Sequence, residues 1–184
     1  NASPAQEVPW AVLKRPRRGS PRGPRGGVEA AEMDVGVERD EVLRLLSETK
    51  ALGTCMSARI AAVIEAPGGG RVIGWNGPPG RAGLHDRCLA GGAISPETQR
   101  DCPCVHAEVR AICRAASAGI PIEGGTLYLS EWFPCAPCAA AMIEAGIARM
   151  VVAKKIEYVK DECYNFGLAR RLLQDAGVAV EEWA

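Results

Sequence analysis

Apolar positions recur with a helical period just after Val37 and give way to a continuous apolar run near residue 60. The first pattern predicts an amphipathic helix that ends near Gly53. The run at 60–66 predicts a buried strand, and Gly and Pro at 67–70 predict a turn into a second strand at 71–75. The two strands together predict a β-hairpin. The residues that carry the helical period of the first pattern are Val42, Leu45, Leu46, Thr49 and Leu52.

Beyond the hairpin, a long segment at 76–104 is rich in Gly, Pro and Cys, and loops of that length are usually functional. Helical and strand patterns then alternate to the end of the chain. This alternation predicts a three-layer α/β/α sandwich with a mixed sheet of about five strands. A helix between the last two strands predicts a parallel crossover. The predicted helices are 105–118, 135–145 and 166–176, and the predicted strands are 126–130, 148–153 and 178–181.

The first 33 residues show no periodicity and are rich in Pro, Gly and Arg, with six basic residues and no acid between 14 and 25. That composition predicts a flexible N-terminal arm at 1–33 and a folded domain at 34–184. An arm that binds anions or wraps a neighbouring subunit is the alternative.

The chain has 184 residues and no formal net charge, yet its charges are unevenly distributed. From Val28 onward, 21 acidic residues accompany 16 basic ones, so the predicted domain is acidic. A polynucleotide-binding surface should be basic, and we therefore expect a small-molecule substrate and no nucleic acid. No apolar run approaches the roughly 20 residues that span a membrane. Without a visible export signal, the eight cysteines favour reduced thiols and a cytoplasmic protein.

Two short motifs carry candidate chemistry: His106-Ala107-Glu108 and Pro134-Cys135-Ala136-Pro137-Cys138. One imidazole and two thiolates are zinc ligands, and three protein ligands leave the fourth tetrahedral position open for water. Glu108 would carry protons beside that position. Both motifs begin predicted helices, whose N-terminal dipoles favour thiolate over thiol. The alternatives are a redox cysteine pair and a core histidine.

With these motifs, the chain resembles the deoxycytidylate (dCMP) deaminase branch of the zinc-dependent cytidine deaminases. The similarity runs from about Glu48 to the end and is most specific in the loop Gly74-Trp75-Asn76-Gly77-Pro78-Pro79. Other matching stretches are Gly53-Thr54-Cys55 and Gly125-Thr126-Leu127-Tyr128-Leu129. The resemblance implies a cytidine-deaminase-like fold and zinc-dependent hydrolysis of dCMP to dUMP with release of ammonia.

The resemblance also implies substrate contacts and partners. Asn76 would contact the sugar, the backbone N–H of Ala107 would bind the pyrimidine, and Tyr158 would lie near the nucleotide. The substrate would be a small nucleotide or nucleoside, the protein a homo-oligomer, and dCTP and dTTP its effectors.

A second group of potential ligands surrounds the long loop: Cys55, His85, Cys88, Cys102 and Cys104. Such a set could hold a second, structural zinc. Small buried apolar side chains are an equally good interpretation of the cysteines.

Three other functions compete with dCMP deamination. Glu131, expected near the pocket mouth, disfavours a phosphate and raises a non-phosphorylated or atypical cytosine-type substrate of secondary metabolism. A tRNA adenosine deaminase would share both motifs, although the acidic domain and the Asn76 loop disfavour it. A silent zinc-binding regulatory module would have no need of Glu108.

Overall fold

The computed structural model describes residues 13–14, 29–55, 58–79, 102–154 and 164–183. Helices and strands alternate along these ranges much as the sequence predicts, with ends that differ by one or two residues after Ile60. In chain order the elements are β1 (Leu13–Lys14), α1 (Glu29–Ala51), β2 (Ala61–Glu65), β3 (Gly70–Trp75), α2 (Ala107–Ser117), β4 (Thr126–Leu129), α3 (Ala136–Glu144), β5 (Arg149–Val152), α4 (Phe166–Asp175) and β6 (Ala179–Glu182).

The strands form one mixed sheet in the order β1-β3-β2-β4-β5-β6. Because β1 contributes only two residues at one edge, the sheet has five longer strands, which confirms the predicted number. Strand β2 is antiparallel to both β3 and β4, while β4, β5 and β6 are parallel to one another. Strands β3, β4, β5 and β6 therefore point the same way, and their carboxyl ends share one edge of the sheet.

Helices cover both faces of this sheet, which confirms the three-layer sandwich. Helix α1 packs on one face through Val42, Leu45 and Leu46. Helices α2, α3 and α4 pack on the other face in the larger core. Strand β2 lies between two neighbouring strands and two layers of helix, which explains why four consecutive residues, 61–64, are apolar and fully buried.

Gly74 allows α2 to approach β3 unusually closely. A Cβ atom at this position would lie 2.2 Å from the Ala107 carbonyl oxygen and 2.6 Å from the Ala111 backbone nitrogen. Only a residue without a side chain fits there. The first turn of α2 is thereby set directly on the sheet.

Two parts of the predicted N-terminal arm are described. Helix α1 begins at Glu29, so the expected boundary between residues 33 and 34 falls inside a helix. The helix also begins several residues before the apolar pattern from which it was predicted. Strand β1 pairs Leu13 with Arg71 and Lys14 with Gly70. The flexibility of the arm stays a prediction. Within the described ranges, no helix has the length and apolar content needed to cross a membrane.

Candidate active site

The candidate catalytic residues gather where strands of the same direction end. Asn76 follows β3, and the turn 130–135 follows β4 and leads into α3. The residue pairs Ala61–Trp75 and Ala62–Leu129 place these two strand ends at the same level of the sheet. In open α/β sheets, ligands bind outside the carboxyl ends of the strands.

Two of the three predicted metal ligands lie at the position immediately before a helix. His106 precedes α2 and Cys135 precedes α3, both with extended backbone. Cys138 lies in the first turn of α3, so one helical turn brings both sulfurs toward the imidazole. The His106 Nδ1 atom lies 3.4 Å from Cys135 Sγ and 3.3 Å from Cys138 Sγ.

This donor set fits zinc. The donor atoms of His106, Cys135 and Cys138 all lie within 4.8 Å of one another, and no other group of three potential ligands does so in the described part of the chain. Tetrahedral zinc with one nitrogen and one sulfur ligand separates those atoms by roughly 3.5 Å. The distances from the imidazole nitrogen to the two sulfurs are therefore already close to those around a bound zinc ion.

The electrostatics of the cluster also suit a dication. A hydrogen bond from Cys138 lowers the pKa of the Cys135 thiol to about 4, and the same bond together with burial raises the pKa of Cys138. The hydrogen bond with Cys135 raises the pKa of His106 to about 9. The lowered pKa favours the thiolate of Cys135, which is the form that binds a metal, and metal binding displaces protons from the other ligands.

Glu108 extends into the same cluster. It is the second residue of α2, is only 5% exposed and hydrogen-bonds Cys138. Burial raises the pKa of this carboxyl group, which the nearby His106 opposes. A buried carboxyl beside the metal ligands is placed to accept and return protons.

A family model described as "Cytidine and deoxycytidylate deaminase zinc-binding region" matches residues 38–154, well over half of the chain and all three candidate ligands. The chain belongs to this family. Membership confirms the predicted deaminase family and the predicted zinc-binding site.

Three known proteins illustrate the similarity. ComE operon protein 2 of Bacillus subtilis (strain 168) is 32% identical over 78 residues, or 42% of this chain and 37% of that protein. The deoxycytidylate deaminase of Enterobacteria phage T2 is 45% identical over 76 residues, or 41% and 37%. The match therefore spans little more than a third of these relatives. The crystal structure of dCMP deaminase from cyanophage S-TIM5 with dCMP and dUMP superposes with a TM-score of 0.59 at 22% identity, over 86% of this chain and 99% of that one, and supports the fold.

The residues that the deaminase resemblance assigns to substrate are in part present at this site. Ala107 is fully buried at the start of α2. Asn76 is also buried, but its side chain binds backbone: Oδ1 accepts from Ile60 N at 2.8 Å, and Nδ2 donates to the Ala58 carbonyl at 2.7 Å. An amide retains one more N–H and one lone pair, so a sugar contact stays a prediction.

Aromatic residues beside the metal ligands were not predicted. The Tyr164 ring centroid lies 6.4 Å from that of His106, and Tyr164 also contacts Trp132 at 5.7 Å and Phe166 at 5.3 Å. Trp132 has a left-handed backbone with φ of 65°, a strained conformation for this residue type. The sequence signal was the aromatic pair just before Pro134. Tyr158, the predicted contact, lies outside the described residues.

The second ligand group is only partly described, since His85 and Cys88 lie outside the described residues. Cys55 and Cys104 flank the Asn76 loop: Thr54 N donates to the Asn76 carbonyl, and Val105 pairs with Gly77. Cys55, Cys102 and Cys104 are partly exposed. A structural zinc here stays a prediction.

Glu131 proves to be paired. Its carboxylate forms an ion pair with Lys50, in the last turn of α1. Because Lys50 offsets the charge of Glu131, this residue argues less strongly against a phosphate-bearing substrate than its charge in the sequence suggested.

Proposed function

We propose that this chain catalyses the zinc-dependent hydrolytic deamination of a cytosine nucleotide, with dCMP converted to dUMP and ammonia. The observation that carries this proposal is the cluster, at the sheet edge, of one partly buried imidazole with two buried thiols and a buried carboxyl group. A structural zinc site would close around four protein ligands, whereas this cluster offers three and a proton carrier.

The roles of the residues follow from their positions. His106, Cys135 and Cys138 would hold the zinc, and zinc bound there would lower the pKa of water so that it attacks at neutral pH. Glu108 accepts one proton from the water and passes it to the ring nitrogen next to the attacked carbon. It then takes the proton of the new hydroxyl group and gives it to the amine, so that the C–N bond breaks, ammonia leaves and a carbonyl forms. Because Glu108 lies in the first turn of α2, two residues after His106, the helix places its carboxyl group beside the metal ligands.

Substrate recognition is proposed for the rim of this cluster. The N–H of Ala107 would bind the pyrimidine and Asn76 the sugar, while the partly exposed rings of Trp132 and Tyr164 offer an apolar wall. The deoxynucleotide is favoured because the phage relative, 45% identical over the shared region, is named a deoxycytidylate deaminase. We further propose a homo-oligomer with dCTP and dTTP as effectors, on the family resemblance alone. We also propose a cytoplasmic location, because a site of this kind needs reduced thiols.

The test is ammonia release from dCMP, CMP, deoxycytidine, cytidine and cytosine, with a tRNA anticodon stem-loop as an adenosine substrate. We expect dCMP to give the highest kcat/KM. A preference for deoxycytidine or cytosine would replace the proposal with a deaminase of non-phosphorylated substrates. Inosine formation in the RNA would indicate a tRNA adenosine deaminase. No ammonia from any substrate with zinc bound would leave a zinc-binding module.

A further inference from the structure

Arg110 connects the catalytic helix to the loop that follows β3. It lies one helical turn after His106, and its backbone N–H donates to the His106 carbonyl at 3.0 Å. From there its Nη2 atom donates to the Gly77 carbonyl at 2.7 Å and to the Pro78 carbonyl at 2.8 Å. One guanidinium nitrogen thus binds two consecutive carbonyls of the loop.

The segment that Arg110 holds is confined on its other sides. Gly77 exchanges two backbone hydrogen bonds with Val105, at 3.1 and 2.8 Å, and Val105 directly precedes His106. A Cβ atom on Gly77 would lie 2.2 Å from Thr54 Oγ1, and the φ of 155° also favours glycine. The backbone after Asn76 is therefore set against the metal ligand. Pro78 has no N–H with which to extend this pairing.

A guanidinium suits this position better than an ammonium. Arg110 extends across the Trp75 ring, with Cζ 5.6 Å from the ring centroid, and its planar fork directs the donors in a fixed geometry. Arg114, one turn further along α2, lies closer to the same ring, at 3.9 Å. Arg114 donates to the carbonyl of Ile73, which lies within strand β3.

We propose that Arg110 is a positioning residue, which fixes residues 76–78 at a set distance from His106 and Glu108 so that the sugar side of the nucleotide binds in register with the reacting ring. The proposal rests on the proposed function for its kinetic consequence. The held conformation of the loop does not depend on that function.

The experiment compares Arg110→Ala and Arg110→Lys with the matched variants Arg114→Ala and Arg114→Lys. Each pair removes or shortens an arginine that contacts Trp75. The Arg110 pair loses the hydrogen bonds to the Gly77 and Pro78 carbonyls, whereas the Arg114 pair loses the bond to the Ile73 carbonyl. Hydrogen exchange of the Gly77 and Val105 amides, zinc content, and KM and kcat for dCMP are measured in all four.

We expect Arg110→Ala to speed exchange of both amides and to raise KM about tenfold or more, since two hydrogen bonds from a charged donor are lost. Its kcat should stay within about threefold, with zinc retained, because the metal ligands and Glu108 are untouched. Arg110→Lys should fall between wild type and Arg110→Ala. The Arg114 variants should show less than about twofold change in KM.

Equal exchange and equal KM in the Arg110 and Arg114 variants would overturn the proposal. If Arg110→Ala does not fold, the lysine pair decides, and unchanged exchange in Arg110→Lys would overturn it. If wild type shows no activity on dCMP, the proposed function fails. The exchange comparison then still decides whether Arg110 holds the loop.

Discussion

At the scale of single residues, the buried polar side chains identify the site. Four such residues occur in the described ranges: Thr49, Arg71, Asn76 and Glu108. Arg71 is explained by ion pairs with Glu41 at 2.7 Å and Glu65 at 3.3 Å, away from the metal ligands. Within the described residues, Glu108 forms no ion pair with a lysine or arginine, and it lies beside His106 and Cys138. Burying a carboxyl costs free energy, so the burial of Glu108 beside the candidate metal ligands supports the catalytic role proposed for it.

Glu108→Gln should abolish turnover with the fold and the zinc retained. The amide keeps the shape of the side chain but cannot accept a proton, so kcat should fall by at least about 10²–10⁴-fold. Glu144→Gln, an exposed residue at the end of α3, is the control and should leave kcat unchanged. Activity of Glu108→Gln within tenfold of wild type, measured as ammonia release, would remove Glu108 from its assigned role.

At the scale of elements, the site depends on how closely α2 and α3 begin to the sheet. His106 and Cys135 each stand just before a helix, and each helix packs on the larger core. Small side chains make this possible, since Ala107, Ala111 and Ala139 are fully buried. A displacement of either helix start would separate the ligands.

Gly74→Ala tests this close approach. The added Cβ would overlap the Ala107 carbonyl, so α2 must shift away from β3. We expect destabilisation of about 1–3 kcal/mol, or a Tm lower by about 2–4 °C per kcal/mol. Zinc affinity and activity should fall too, because Ala107 lies between His106 and Glu108.

The control for that substitution is Gly68→Ala, in the β2–β3 turn, where a Cβ meets nothing within 4 Å. Its Tm and activity should match wild type. If Gly74→Ala behaves like Gly68→Ala in thermal unfolding and zinc binding, the close approach does not determine the site.

At the scale of the whole molecule, one edge of the sheet collects segments from distant parts of the chain. The backbone of residues 54, 76–77 and 105 is joined there by hydrogen bonds, and the turn before Cys135 lies at the same level. Loops at this edge can be ordered by a bound metal as well as by packing.

We predict two zinc ions per chain in metal-replete protein, and one in Cys104→Ser. The second ion would tie the long loop to the core and offset the entropy lost on ordering it. The ligands would be Cys55, Cys88 and Cys104, with His85 or Cys102 as the fourth. Cys113→Ser, which changes an exposed thiol on α2, should retain both ions. A single zinc in wild type by metal analysis would reduce these cysteines to packing residues.

Deletion of residues 1–28 should change the Tm by less than about 2 °C. The molecular mass in solution should still correspond to the same number of chains per oligomer. The cut is placed there because α1 begins at Glu29, and β1 contributes only two residue pairs to the sheet. A larger loss of stability, or a smaller oligomer by light scattering, would show that the arm docks on the domain or on a neighbouring subunit.

The sequence by itself determined the elements and the chemistry, because both are local. Apolar periods predicted the helices and strands, and two motifs, each less than six residues long, predicted the candidate zinc ligands and Glu108 as their proton carrier. The start of α1 was not predicted, because residues 29–36 lack the apolar period that marks a packed helix.

Only the tertiary structure decided which distant residues meet. It brought Tyr164 beside His106 and Trp132 beside Tyr164, joined Arg110 to the Gly77 and Pro78 carbonyls, and paired Glu131 with Lys50. No local pattern encodes these contacts, because they depend on strand order and on the parallel crossovers that bring the ends of β3 and β4 to one edge. The physical reason is that a motif specifies chemistry within one short segment, whereas a binding site is formed where several segments from distant parts of the chain pack together.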